Sequence, residues 1–242
     1  MEEFMNFVFD LYGTLVDIWT DEGKAEVWRG LAGRLRGCRR KYLWAKESYA
    51  RLCREEHLGE GREFDLLRVF ERMLAEEGKD ISTAPEIARE FRENSMVRLG
   101  LFPLVKEILT GLKERGAGVY LLSNAQSCFT RYELDKLGLT SLFDDIIISS
   151  ETTYKKPSGE IFKIAFEKFG ISPENSIYVG NDMRDDVLGA HGAGMRTAYI
   201  ETEQSGKYPH LDLPAPDYVA KSHAELKEIL FSLAEENGNK HK

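Results

Sequence analysis

Cysteine is scarce in this chain: its 242 residues contain three, Cys38, Cys53 and Cys128, and no C-x-x-C pair. So small, odd and widely spaced a set argues against a disulfide framework or a cysteine-ligated zinc site. It suits a reducing, cytoplasmic setting. Long apolar runs are also missing, which predicts no membrane span. The start, Met1-Glu2-Glu3, is acidic, and the apolar run behind it is too short for a secretory signal. Nor is there an excess of positive charge: 33 Lys and Arg stand against 41 Asp and Glu, a net charge of -8. That balance argues against a general nucleic-acid binder, and any anionic ligand must be held by local groups rather than by the overall field. Internal repeats and low-complexity segments are absent.

What is present describes a globular protein, with 42% hydrophobic and 31% charged residues. The length allows one large α/β domain, or a core domain with a smaller insert. Near the start, Phe7-Val8-Phe9 is a run of large apolar residues that stops at Asp10. An apolar run of this kind suits a strand buried on both faces. Asp10 then lies at its carboxyl end, where open α/β sheets place their ligand sites, and Gly13 allows a tight turn behind it.

From residue 20 to 98 the pattern is helical, with no strand signal. Ala25, Trp28, Leu31, Ala32 and Leu35 make one apolar stripe, and Tyr42 to Leu52 a second. Phe64, Leu67, Phe70 and Met73 make a third, and Pro85 fits the first turn of a fourth that runs to about Val97. The aromatics Trp19, Trp28, Tyr42, Trp44 and Tyr49 either line the inner face of this block or pack its helices together. Arg34, Arg36, Arg39, Arg40 and Lys41 read as a solvated face. From Leu101 onward helices and short apolar strands alternate, the mark of a parallel sheet. The strands are centred on Leu121, Ile147, Tyr178 and Ala198, with a short edge strand at Tyr218 and a closing helix over 224–233. A fraying tail is expected over 237–242.

Four stretches carry chemistry, each after an apolar strand or opening a helix. They are Asp10-Leu11-Tyr12-Gly13-Thr14-Leu15, Ser123-Asn124, Lys155-Lys156-Pro157, and Gly180-Asn181-Asp182-Met183-Arg184-Asp185-Asp186. In this order they resemble the four motifs of the haloacid dehalogenase (HAD) superfamily. The resemblance covers almost the whole chain except the helical block. It implies a doubly wound parallel α/β core, Rossmann-like, over 1–19 and 99–242, with a small all-helical cap inserted over 20–98. It also implies that Asp10 is a covalent nucleophile, that Thr14, Ser123 and Asn124 bind the transferred group, and that Lys156 is the functional ammonium. A compact cation there keeps the nucleophile ionised and offsets substrate charge. The acidic fourth stretch suits Mg²⁺, a hard ion that takes few carboxylates and keeps several waters. Asp10, the Tyr12 backbone carbonyl and Asp182 are the expected ligands. Asp186 and Asn181 stand behind them, Asp186 holding metal-bound water or Lys156, while Asp185 is read as a helix cap.

One departure bears on function. HAD phosphatases usually carry a second Asp two residues after the first; Tyr12 stands there, as in the L-2-haloacid dehalogenases. A phenol can donate a proton but is a poor base near neutrality. The resemblance therefore implies an Mg²⁺-dependent phosphatase acting on a small phosphorylated molecule through an aspartyl phosphate. The alternatives are a metal-independent (S)-2-haloacid dehalogenase using Asp10, and a non-catalytic HAD-like binding protein. The expected protein is a monomer or homodimer, with no nucleic-acid or membrane partner.

Overall fold

The computed structural model describes residues 5–239. The run expected at the start is β1 (Asn6–Phe9), and it forms the centre of a six-stranded parallel sheet. On one side it pairs with β4 (Gly118–Ser123), which pairs with β5 (Asp145–Ile148). On the other lie β6 (Ser176–Gly180), β7 (Arg196–Ile200) and, at the edge, β8 (Tyr218–Ala220). The chain thus winds outward from β1 in both directions, the expected doubly wound order.

Alternate side chains of β1 serve opposite layers. Phe7 and Phe9 pack with Ile108, Leu109 and Leu112 of α5 (Val105–Glu114) and with Leu226 and Leu230 of α8 (His223–Asn239). Val8 faces Ile161 and Phe162 of α7 (Gly159–Phe169). Both faces being covered, the strand is apolar throughout, as parallel strands must be. The predicted closing helix is longer than expected and reaches Asn239; residues 240–242 of the expected tail lie outside the described residues.

The helical block contains α1 (Ala25–Arg36), α2 (Tyr42–Glu56), α3 (Leu67–Glu76) and α4 (Ala84–Ser95). Its interior is an aromatic cluster. Trp28, Tyr49, Phe70 and Phe91 lie with ring centres 5.2 to 5.8 Å apart, so Trp28 and Tyr49 are packing residues. Trp44 is covered by the Arg36 guanidinium, and Trp19 is exposed. The basic run is solvated as expected, Arg34 and Arg36 pairing with Glu86, Glu90 and Glu77.

The structure corrects the strand-free reading of this region. Val16–Thr20 (β2) and Met96–Leu101 (β3) form an antiparallel ribbon through which the chain enters and leaves the helices. The expected boundaries at 19/20 and 98/99 fall inside it. Each strand is short and half-exposed, and its partner lies some eighty positions away in sequence, so local alternation carried little signal. Core and helical block also share packing. Phe129, on α6 (Ser127–Leu137) of the core, is buried in the aromatic cluster, 6.4 Å from Phe70 and 6.5 Å from Phe91.

Candidate active site

The carboxyl ends of β1, β4 and β6 lie side by side, and each delivers one piece of the site. Asp10 follows β1, and its N–H still donates to the Val179 carbonyl at 2.9 Å, so its position is set by the sheet ladder. The chain then turns tightly, with Leu15 and Val16 N–H groups both donating to the Leu11 carbonyl. Gly13 has φ +84°, and a Cβ there would lie 2.4 Å from the Asn181 side chain, so both conformation and space demand glycine.

Lys156 is the centre of the charge arrangement. Its ammonium is fully buried and donates to Asp10 Oδ1 at 2.8 Å, Asp186 Oδ1 at 2.6 Å and the Tyr178 hydroxyl at 2.7 Å. Three donors thus meet three acceptors, and the Tyr178 hydroxyl in turn donates to the Leu122 carbonyl at 2.7 Å. Burial by itself disfavours the ammonium, but the Asp10 and Asp186 carboxylates outweigh it and hold Lys156 well above its usual range. Asp186 is fully buried, and its carboxyl is pushed up to about 7 by burial, against the pull of Lys156. One ammonium between two acids is near neutral when Asp186 carries a proton.

Hydroxyl and amide groups complete the cluster. Thr14 Oγ1 lies 3.1 Å from both Asp10 Oδ2 and Asn181 Oδ1, and Ser123 Oγ is 3.5 Å from Asp10 Oδ1. Asn124 orients the Lys-Pro loop from both sides. Its Oδ1 accepts the Lys156 N–H at 2.8 Å and its Nδ2 donates to the Lys156 carbonyl at 3.0 Å. The same Nδ2 donates to Asp185 Oδ2 at 3.1 Å. A cavity of about 690 Å³ opens here between the core and the segment joining α2 to α3, lined by Asn124, Lys156, Arg184, Asp185, His57 and Gly61.

Two of the expected contributors are turned elsewhere. Asp182 Oδ1 accepts the N–H groups of Arg184 and Asp185 at 2.9 and 2.8 Å, and its Oδ2 accepts the Tyr208 hydroxyl at 2.5 Å. It caps the wide turn over Met183–Leu188, the role assigned from sequence to Asp185. Asp185 instead faces the cavity, half-buried, its carboxyl raised by burial. The Tyr12 phenol is the second. It donates to Glu133 of α6 and lies 3.0 Å from Thr130 Oγ1, and burial followed by the Glu133 charge raises it far above the usual phenol range. A phenol so held is no proton donor to a leaving group beside Asp10.

Oxygen donors for a hard cation are correspondingly few. Among the described residues no cluster of three or more His, Cys, Asp or Glu side chains is arranged for a metal ion. Asp10 Oδ2 and Asn181 Oδ1 do converge on the Thr14 hydroxyl. One carboxylate and one neutral amide, with the Tyr12 backbone carbonyl expected from the sequence as a third oxygen, fit Mg²⁺ in a largely hydrated form.

Sequence reasoning missed three supporting residues. Tyr178 reads as an ordinary strand residue. Thr202 donates to the Gly13 carbonyl at 2.9 Å and accepts from Asn181 Nδ2 at 3.4 Å. His223 donates from Nε2 to the Thr14 carbonyl at 2.8 Å, and burial favours its neutral form. His223 opens the last helix, where no local pattern announces a role.

Comparison with known proteins identifies the family. Residues 4–194 match the haloacid dehalogenase-like hydrolase family. A glyceraldehyde 3-phosphate phosphatase of Methanothermobacter thermautotrophicus is 33% identical over 131 residues, 53% of this chain and 58% of the relative. A phosphoserine phosphatase of Thermus thermophilus is 35% identical over 172 residues, 69% of this chain and 64% of the relative. The chain thus spans about three fifths of the length of these two relatives. A HAD phosphatase from Thermococcus onnurineus shares the fold, with TM-score 0.62 and 20% identity over 93% of this chain and 97% of that one. So does an L-2-haloacid dehalogenase from Xanthobacter autotrophicus, with TM-score 0.56 and 20% identity over 94% and 98%. Among the described residues no helix is long and apolar enough to cross a membrane. With its four motifs following four adjacent strands, β5, β4, β1 and β6, and most of its length matched, the chain belongs to the haloacid dehalogenase-like hydrolase family.

Proposed function

We propose that this hydrolase is a phosphatase that cleaves a small phosphomonoester through an aspartyl phosphate on Asp10. The observation that carries the reading is the buried arrangement around Asp10, with Lys156 Nζ at 2.8 Å and the Thr14 and Ser123 hydroxyls beside it. Such a set both offsets the charge of an attacking carboxylate and donates to the oxygens of a transferring phosphoryl group. Curated relatives at 33% and 35% identity are phosphatases, whereas the dehalogenase likeness, at 20%, rests on fold alone.

Asp10 attacks phosphorus as the ester P–O bond breaks and the alcohol oxygen leaves, and water then hydrolyses the aspartyl phosphate to release phosphate and free Asp10. Lys156 balances the charge, and Asn124 keeps the Lys-Pro loop in place. Mg²⁺, held by Asp10, the Tyr12 backbone carbonyl and Asn181, would supply further positive charge at the phosphoryl oxygens. The residue after Gly180 supplies its amide oxygen in this reading; Asp182, the acid expected for that duty, is occupied as a cap. With Tyr12 committed to Glu133, a stable leaving group such as an aryloxide is favoured over an alkoxide.

The second reading, a dehalogenase, draws on two specific observations. Tyr12 leaves the position of the usual second Asp without a carboxylate, and Lys156 with a protonated Asp186 balances Asp10 without a further cation. A non-catalytic role finds no support in a cluster that keeps the nucleophile, the hydroxyls and the ammonium together. Hydrolysis of p-nitrophenyl phosphate and of 2-chloropropionate, each with Mg²⁺ and with EDTA, separates the readings. Phosphate release that needs Mg²⁺ and disappears in Asp10→Asn is the expected result. Chloride release in EDTA, with no phosphate release, would replace it with the dehalogenase.

A further inference from the structure

The Tyr12 side chain closes a buried contact among three separate parts of the molecule. It belongs to the loop directly behind the nucleophile. Glu133, which accepts its hydroxyl, lies on core helix α6 and is almost fully buried. Arg92, on helix α4 of the helical block, donates from Nε to Glu133 Oε1 at 2.6 Å and from Nη2 to Oε2 at 3.5 Å. Its guanidinium also lies 5.9 Å from the Tyr12 ring centre and 5.1 Å from that of Phe129. Glu22, just beyond β2, has its carboxyl raised by burial within the field of the same guanidinium.

A buried carboxylate is tolerated only when a cation and hydrogen-bond donors meet it. Here the cation comes from the helical block and one of the donors from the nucleophile loop. Moving α4 off α6 therefore leaves Glu133 buried without its cation, and the carboxylate that anchors the Tyr12 hydroxyl is itself no longer held in place.

We propose that Arg92 and Glu133 are positioning residues that lock the nucleophile loop, through Tyr12, to the docked position of the helical block. Tyr12 holds the sequence position at which an acid–base group would be expected, and its phenol, turned to α6 instead, serves as the bolt of that lock. The position of the helices is thereby felt at Asp10, two residues away in the chain.

Hydrogen exchange of the backbone amides tests this without reference to any substrate. The amides of Gly13, Leu15 and Val16 are held inside the loop by the Val16 and Leu11 carbonyls at 2.8 to 2.9 Å. In Tyr12→Phe and Arg92→Met, exchange at these amides should quicken by about tenfold, the weight of one hydrogen bond to a charged group. Arg92→Lys should recover part of the protection. Combining Tyr12→Phe with Glu133→Gln should add little to either alone.

A second arm rests on the phosphatase reading and uses p-nitrophenyl phosphate. Each variant should lower kcat by about tenfold to a hundredfold with KM little changed, since a displaced nucleophile costs the transition state rather than binding. Both limbs of the pH–rate profile should persist in Tyr12→Phe. Loss of a limb would make Tyr12 a proton carrier and overturn the proposal. Faster exchange in α4 with none in the loop would overturn it too, reducing the contact to simple docking. Absence of aryl phosphate hydrolysis in the unaltered protein would remove the phosphatase reading, while the exchange arm would still decide the lock.

Discussion

Asp186 carries a strongly raised carboxyl, and at the scale of single residues its proton makes stability depend on pH. Its carboxyl, ordinarily near 3.8, is pushed up to about 7 by complete burial. The folded protein therefore binds this proton where the unfolded chain has released it. The resulting contribution to stability is complete below the ordinary value and is lost as pH rises from about 4 through about 7. Asp186→Asn, nearly isosteric and unable to titrate, should flatten that decline. Urea midpoints of both proteins across this range give the measurement, and parallel slopes would show that the buried proton is not held. Gly180 stands under the same constraint. A Cβ there would lie 2.3 Å from Asp186 Oδ2, so the glycine before the acidic stretch is what lets that carboxylate turn back to Lys156.

The turn over Met183–Leu188 shows what an element demands of its first residue. Wide turns of this kind leave their leading N–H groups unpaired, and Asp182 takes two of them. Asp182→Ala should cost about 1 to 2 kcal/mol of stability, read by chemical denaturation, and Asp182→Asn should restore most of it. Neither change should alter the Mg²⁺ concentration needed for half-maximal activity, because the carboxylate is spent on backbone and on Tyr208. Asn181→Asp should lower that concentration by placing a second carboxylate beside Asp10. If Asp182→Asn instead raised it strongly, the assignment of Asn181 would fail.

Across the whole molecule, the helical block and the core are joined by more than the β2–β3 ribbon. Phe129 plugs a core helix into the aromatic cluster, and Gln126, from the loop leading into that helix, accepts the Leu66 N–H at 2.8 Å and donates to the Phe64 carbonyl at 3.0 Å. The segment entering α3 also pairs with the loop before Lys156, with Glu63 N–H to the Thr153 carbonyl at 3.0 Å and Lys155 N–H to the Gly61 carbonyl at 3.1 Å. Phe129→Ala should cost about 3 to 5 kcal/mol, the usual loss for emptying a buried aromatic site. Because the ring lies between the two units, the melting transition should broaden or split in calorimetry. A single sharp transition at an unchanged temperature would mean that the units are coupled elsewhere.

Much of this protein was legible in its residues. The apolar strand ending at Asp10 depends on local pattern, the roles of the four stretches and of Lys156 came from their resemblance to a known family, and the structure brings Asp10, Thr14, Ser123 and Lys156 together at one end of the sheet. The burial of β1 on both faces follows from its composition alone. Other features depend on partners far away in the chain, which no local window contains. Whether Asp182 or Asp185 caps the turn was settled by which carboxylate could reach the backbone and which was drawn to Asn124. The ribbon exists because two weak strands, each marginal alone, pair across the inserted helices. Tyr12 carried the same ambiguity: its identity announced a missing acid, but only the approach of α4 to α6 set Glu133 and Arg92 where they hold its hydroxyl. Sequence determined which groups are present and at which strand ends they sit. Tertiary packing decided which of their protons and lone pairs are already taken, because a buried polar group must find its partner wherever the fold brings one.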